Sequence, residues 1–97
     1  MNHISKGQRI LQPKVTEYTN INAYSGDNYI VLPKNTLLSD VISIAFESGC
    51  HGFARSSNDD LSGKYYIRSP DKTIDNIIYR LDNNLMTNGV NFYVLDF

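Results

Sequence analysis

The most regular polar pattern in this sequence is a group of three aspartates spaced by four and seven residues. On an α-helix Asp71, Asp75 and Asp82 would project within about 40° of each other, because each residue turns the helix by about 100°. Lys72 and Arg80 belong to the same segment and dilute the negative field. The row is either the solvated flank of a surface helix or an acidic surface that binds a basic partner.

Further acidic residues could belong to the same partner-binding surface. Asp40 and Glu47 are seven residues apart and share the polar side of a second predicted helix. Asp59 and Asp60 lie in a predicted loop, where they form either a solvated turn or a contact to a metal or a partner. The two predicted helices hold five acids against two bases, and the rest of the chain holds five acids against seven bases. We therefore expect an acidic helix layer and a more basic sheet and N-terminal arm.

A basic and aromatic surface is the alternative to the acidic one. In the predicted strand 64–68, alternate residues share a face, which places Lys64, Tyr66 and Arg68 together. Pairing with the predicted strand 51–57 would add residues of that strand to the same face. The resulting group is Lys64, Tyr66, Arg68, Phe53 and Arg55, with His51 beside them. Surfaces of this composition stack bases and hold phosphates. The alternative function is therefore an RNA- or single-stranded-DNA-binding module that uses the open face of the sheet.

This alternative can be compared with the RNA-recognition motif, whose signature occupies its third strand. The segment SGKYYIRS, residues 62–69, is similar to that signature at three positions, Gly63, Tyr66 and Ile67. Lys64 departs from it, because it stands where the first base-stacking aromatic residue belongs.

The residues capable of nucleophilic or metal chemistry are not suitably spaced. Cys50 and His51 are adjacent, and adjacent side chains of an extended segment diverge, so they do not imply a thiolate–imidazole pair. A cysteine packed in the core at a helix end is the simpler interpretation. His3 and His51 do not approach metal-ligand spacing with Cys50. We expect a protein that is not an enzyme, with no cofactor and no metal.

Composition favours one small intracellular domain. Ninety-seven residues with a net charge of −1 allow a modest core and give no overall charge excess for nucleic acid or membrane. No apolar run is long enough for a transmembrane helix, and the N-terminus lacks the apolar core of a signal peptide. A single cysteine suits a reducing compartment. We expect a cytoplasmic protein, with no membrane partner, that is a monomer or a homodimer.

Alternating and periodic segments predict an α+β fold. Residues 1–14 are expected to form an N-terminal arm and residues 15–97 a single domain. The predicted strands cover residues 15–24, 29–32, 51–57, 64–68 and 90–97, and the predicted helices cover 36–48 and 69–89. After the first strand the order is β-α-β-β-α-β, which predicts a ferredoxin-like two-layer sandwich with both helices on one face. The first strand is placed at an edge of the sheet, and residues 29–32 at its centre.

The second helix is the element with the clearest sequence signature. Ser69 is a suitable N-cap, Pro70 suits the first helical position, and Gly89 is expected to end the helix. Its apolar stripe follows helical spacing and should be buried; the stripe consists of Ile74, Ile77, Ile78, Leu81 and Leu85. An amphipathic helix of this length needs a sheet or a second helix to pack against.

In size and general character the chain resembles the small phage-encoded anti-CRISPR proteins. Those inhibitors share no common motif, so the resemblance assigns no residues. It implies a protein-binding inhibitor of phage or mobile-element origin that acts in the host cytoplasm. We expect such an inhibitor to place its acidic helix faces on the basic, nucleic-acid-binding surface of a host defence complex such as a CRISPR effector.

Overall fold

The computed structural model describes residues 12–56 and 63–97. The elements are β1 (Lys14–Thr19), β2 (Ile30–Leu32), α1 (Leu38–Glu47), β3 (Gly52–Ser56), β4 (Tyr65–Ile67), α2 (Ile74–Asn83) and β5 (Val90–Asp96). The five strands form one antiparallel sheet in the order β1-β5-β3-β4-β2. The predicted α+β class is therefore confirmed.

The two helices cover opposite faces of this sheet. Phe92 of β5 packs with Leu81 of α2 in one buried cluster. The next residue, Tyr93, packs with Val41 of α1 in the other cluster. Successive side chains of a strand point to opposite faces, so α1 and α2 lie on opposite sides of the sheet. The fold has three layers, and the predicted two-layer sandwich with both helices on one face is wrong.

The sheet order explains this placement of the helices. α1 connects β2 to β3 across β4, and α2 connects β4 to β5 across β3. Each connection joins two parallel strands, and both connections move toward the β1 edge of the sheet. Because β2 and β4 run in opposite directions, one connection moves to the right and the other to the left when each is viewed along the direction of its own strands. Because such crossovers are almost always right-handed, their helices must lie on opposite faces. The ferredoxin-like assignment is not confirmed by this strand order.

The register of the β3–β4 hairpin differs from the one assumed in the sequence argument. Phe53 pairs with Ile67, and Arg55 pairs with Tyr65. Directly opposed residues share a face, so Phe53 and Arg55 point to the α1 side, whereas Tyr66 points to the α2 side. A shift of one residue therefore divides the predicted basic and aromatic surface between the two faces.

The edges of the sheet are occupied by β1 and β2. The edge position predicted for the first strand is confirmed, because β1 pairs only with β5 among the described residues. The central position predicted for residues 29–32 is wrong: β2 is the other edge strand, three residues long, and 44% of Val31 is exposed. The central strand is β3, whose Phe53 and Ala54 are buried on opposite faces.

The second helix is shorter than its sequence pattern indicates. Thr73, not Ser69, is the N-cap, and its hydroxyl accepts a hydrogen bond from the Asn76 amide over 3.3 Å. The helix ends at Asn83, and Leu85 beyond it is 90% exposed rather than buried. Gly89 has the expected positive φ of 83°, but it ends the turn that leads into β5. In the described parts of the chain, neither helix has the length and hydropathy to cross a membrane.

Candidate functional site

The solvent-facing side of α2 presents one aromatic ring between two acids. Ile77 and Leu81 are buried, which turns Asp75, Tyr79 and Asp82 outward. Tyr79 follows Asp75 by four residues and precedes Asp82 by three, and residues at these spacings are neighbours on a helix. The Tyr79 side chain is 67% exposed. We call these three residues the α2 acidic face.

Asp71 does not belong to this face, although its spacing predicted that it would. It precedes α2, and its carboxylate accepts hydrogen bonds from the Ser69 hydroxyl and from Lys72 Nζ, the latter over 3.2 Å. The hydrogen bond from Ser69, followed by the one from Lys72, lowers the pKa of Asp71. Asp71 therefore contributes to a local turn, and the acidic row is reduced to two residues and a tyrosine.

A second carboxylate, Asp27, organises the same turn from the other side. Its Oδ2 accepts a hydrogen bond from the Ser69 amide over 2.7 Å. The Ser69 hydroxyl, whose single proton is shared with Asp71, lies 2.9 Å from Asp27 Oδ2, and Lys72 Nζ lies 3.8 Å away. Burial alone would raise the pKa of Asp27, but the Ser69 hydrogen bonds and the charges of Lys72 and Arg68 outweigh it and lower the pKa. Asp27 thus connects the loop before β2 to the start of α2.

The remaining predicted acids that the structure describes do not join the α2 acidic face. Asp40 and Glu47 are exposed on α1, on the opposite side of the sheet. The expected continuous acidic helix layer is therefore wrong, because the sheet separates the two helices. Asp59 and Asp60 lie outside the described residues.

The structure also divides the predicted nucleic-acid surface. Phe53 is 0% exposed in the core under α1, and Arg68 is 2% exposed. Arg55 is exposed on the α1 side, where its guanidinium lies 5.2 Å from the centre of the Tyr65 ring. Lys64 is exposed and Tyr66 is half-buried, with Tyr66 pointing to the α2 side. These side chains do not form one open basic and aromatic face.

Arg68 has a role that the sequence argument did not assign to it. Its Nε donates to the Ala23 carbonyl over 2.8 Å, and its Nη2 donates to Asn22 Oδ1 over 2.8 Å. Its Nη1 donates to the carbonyls of Asp27 and Tyr66 over 3.2 and 3.3 Å. Three of these four acceptors belong to the loop 20–29, which Arg68 therefore fastens to the sheet. Part of this role could be detected in the sequence. The Asn, Ser, Gly and Asp residues of the loop 20–29 indicate an irregular backbone whose carbonyl groups need hydrogen-bond donors from elsewhere.

A cleft of about 720 Å³ lies between the loop 20–29 and α2. Tyr24 lines it with a positive φ of 56°, a backbone conformation that is rare for an aromatic residue. The Arg80 guanidinium lies 4.1 Å from the centre of the Tyr24 ring, and Lys72 Nζ lies 5.3 Å from it. The two cations hold the ring against the helix, and the cleft is walled mostly by amide and hydroxyl side chains.

Cys50 and His51 have separate environments, as their adjacency predicted. Cys50 is completely buried beside α1, and burial, followed by the charge of Asp27, raises the pKa of its thiol. The His51 ring stacks on Phe97 with 4.2 Å between centroids, and its Nδ1 lies 3.2 Å from the Leu95 carbonyl oxygen. No group of three His, Cys, Asp or Glu side chains in residues 12–56 and 63–97 is arranged to hold a metal ion.

No protein-family model matches the chain, and no curated protein or solved structure matches it either. The geometry of the site is thus the basis for any functional assignment.

Proposed function

We propose that this chain is a non-enzymatic, protein-binding inhibitor that uses the α2 acidic face to occupy a basic surface of its partner. The observation that carries the proposal is the 67% exposure of Tyr79 between Asp75 and Asp82. A tyrosine buries a large, rigid surface on binding and is enriched among the residues that dominate interface energies. Two flanking carboxylates would orient that anchor on a positively charged surface.

The position of this face on a rigid element also supports the proposal. The buried pair Ile77 and Leu81 fixes the rotation of α2 against the sheet, and the Thr73 cap fixes its start. The binding residues are therefore ordered before the partner arrives, which reduces the entropy lost on binding.

The partner that fits this chemistry is a protein with a basic surface that normally holds nucleic acid. Carboxylates there would compete with phosphates for the same lysine and arginine side chains. The resemblance to phage-encoded anti-CRISPR proteins suggests a host defence complex, such as a CRISPR effector, as the partner. The inhibitor would act by occupation of the surface and would need no chemical step.

The arrangement of acids on the two helices supplies a matched control for the test. The variant Asp75→Lys/Asp82→Lys reverses two charges on α2, and the variant Asp40→Lys/Glu47→Lys reverses two charges on α1, across the sheet. All four side chains are exposed, so both variants should fold. Tyr79→Ala tests the aromatic anchor separately.

The native chain and each variant are used as baits in a bacterial lysate treated with nuclease. Each captured protein is then purified, and its nucleic acid is bound to it again to test whether the native chain displaces that nucleic acid. We expect the native chain and the α1 variant to capture a basic protein. The α2 variant and Tyr79→Ala should not capture it. Capture that is equal for all four baits, or that disappears after nuclease treatment, would refute the proposal.

A further inference from the structure

A second cavity, of about 340 Å³, lies on the α2 side of the sheet, between the loop 20–29 and strands β3 and β4. Its wall includes the polar side chains of Asn22, Ser25, Asn28, Ser56, Tyr66 and Arg68. Among the described residues that line it, Arg68 is the one with a charged side chain. The electrostatic character of the cavity is therefore positive.

The charge of Arg68 is buried, and among the described residues no carboxylate lies within ion-pair distance of it, although the Asp27 carboxylate acts on it from further away. In residues 12–56 and 63–97, the ion pairs are those of Lys72 with Asp27 and Asp71, and Arg68 forms none. The Asp27 carboxylate is occupied by Ser69 and Lys72, and it is the Asp27 main-chain oxygen that meets Arg68. A buried charge is costly unless a counter-charge or a full complement of hydrogen bonds compensates it. The Asp27 charge offsets only part of the cost of burying Arg68, which is 2% exposed, so the cavity still favours the approach of an anion.

The hydrogen bonds of Arg68 leave one donor for such an anion. A guanidinium has five N–H groups, and four of those of Arg68 donate to Ala23, Asp27, Tyr66 and Asn22. The second N–H of Nη2 has no acceptor among the described residues. Burial lowers the pKa of Arg68 to about 10, so the side chain stays cationic at neutral pH.

Two further donors line the same cavity. The Ser25 hydroxyl and the Asn28 side-chain amide line it, and neither makes a hydrogen bond to the described part of the chain. Gly26 lies between them with a φ of 95°, which lets the loop turn sharply at the cavity wall. Charged guanidinium, hydroxyl and amide donors on one wall are the groups that recognise carboxylates and phosphates.

We propose that this cavity, lined by Arg68, Ser25 and Asn28, binds a small oxyanion, namely a phosphate group or a carboxylate. Its volume lies at the lower end of the range for ligand sites, about 300–1,000 Å³, which fits a compact anionic group rather than a large cofactor. The bound anion would neutralise Arg68 and hold the loop 20–29 closed on the sheet. The proposal is independent of partner binding at the α2 acidic face.

Titration of the ¹⁵N-labelled chain with inorganic phosphate, and separately with acetate, tests the site by NMR. Sodium chloride at matched ionic strength is the reference. We expect saturable shifts, absent with chloride, at the Arg68 Nε–H and at the amides of Gly26 and Asn28. Saturation with one anion and not with the other would identify which oxyanion the site takes.

The variant Asn28→Asp places a fixed negative charge at the cavity wall without removing any hydrogen bond of Arg68. We expect it to weaken oxyanion binding by about tenfold or more, because like charges repel strongly at short range. Asn35→Asp makes the same change at an exposed position that does not line the cavity, and it should bind as the native chain does. Shifts that chloride reproduces, that centre on Arg80 instead, or that survive Asn28→Asp would overturn the proposal.

Discussion

The Nε of Arg68 donates a hydrogen bond to the main-chain oxygen of Ala23 over 2.8 Å, across 45 residues of sequence. This contact, with the three other hydrogen bonds of the guanidinium, joins the loop 20–29 to the sheet. The ring of Phe92 lies beneath it, with 5.7 Å between the guanidinium carbon and the ring centre. Arg68, which the sequence pattern predicted to lie on an open binding face, is therefore buried and holds the loop 20–29 on the sheet.

Replacement of this arginine should be strongly destabilising. Arg68→Met removes the donors that satisfy buried carbonyl oxygens, and we expect a loss of about 3 kcal/mol in the free energy of unfolding. Urea denaturation measures it. Arg80→Met is the control, because that side chain is exposed and stacks on Tyr24, and it should lose about 1 kcal/mol or less. Equal losses for the two variants would contradict a fastening role for Arg68.

The contact between Tyr93 and Glu17 predicts a loss of stability in alkaline solution. The Tyr93 hydroxyl donates to the Glu17 carboxylate over 2.6 Å. Burial, followed by this hydrogen bond and the Glu17 charge, raises the pKa of Tyr93 to about 12 from its ordinary value of 10. Because the folded pKa is the higher one, the contribution is complete below pH 10 and is lost as the pH rises toward 12.

The size of this effect is bounded by the shift of the Tyr93 pKa. Two pKa units correspond to about 2.7 kcal/mol, and solvent screening at the exposed Glu17 should reduce this to about 1–2 kcal/mol. The measurement is the difference in unfolding free energy between the native chain and Tyr93→Phe at about pH 9 and about pH 11. We expect the advantage of the native chain to shrink over that interval, and a constant difference would be evidence against the assignment.

Gly52 of β3 lies against the ring of Phe92 in β5 and the side chain of Ile77 in α2. A Cβ atom at Gly52 would lie 2.7 Å from Phe92 Cε1 and 3.1 Å from Ile77 Cδ1. Gly52→Ala should therefore cost about 1–3 kcal/mol through overpacking. The double variant Gly52→Ala/Phe92→Leu relieves the clash, so a double-mutant cycle should show a favourable coupling energy. Simple additivity of the two losses would show that the ring does not limit the space at Gly52.

Leu81 and Leu85 share a stripe in the sequence and have opposite environments in the structure. Leu81 is 3% exposed and Leu85 is 90% exposed. Leu81→Ala should cost about 2–5 kcal/mol by leaving a cavity, whereas Leu85→Ala should change the stability by about 0.5 kcal/mol or less. Thermal and urea unfolding of both variants measure the contrast. A large loss for Leu85→Ala would mean that α2 continues beyond Asn83.

Some of the three-layer architecture could have been predicted from the sequence. In β5 four consecutive residues, Phe92, Tyr93, Val94 and Leu95, are apolar, and all are buried. A continuous apolar run in a strand indicates that both faces are covered, which is incompatible with an open sheet. Tyr65 and Ile67, which alternate with Tyr66 in β4, both pack in the buried cluster under α1.

The sequence by itself determined the number, type and approximate positions of the strands and helices, because hydrophobic periodicity and turn residues act locally. It also determined the outward side of α2, since Ile77 and Leu81 fix the opposite side. The strand order, the register of β3 against β4 and the burial of Arg68 were decided by the tertiary structure. Those features depend on contacts between residues far apart in the chain, such as Arg68 with Ala23, and a one-residue change of register moves every side chain of a strand to the other face.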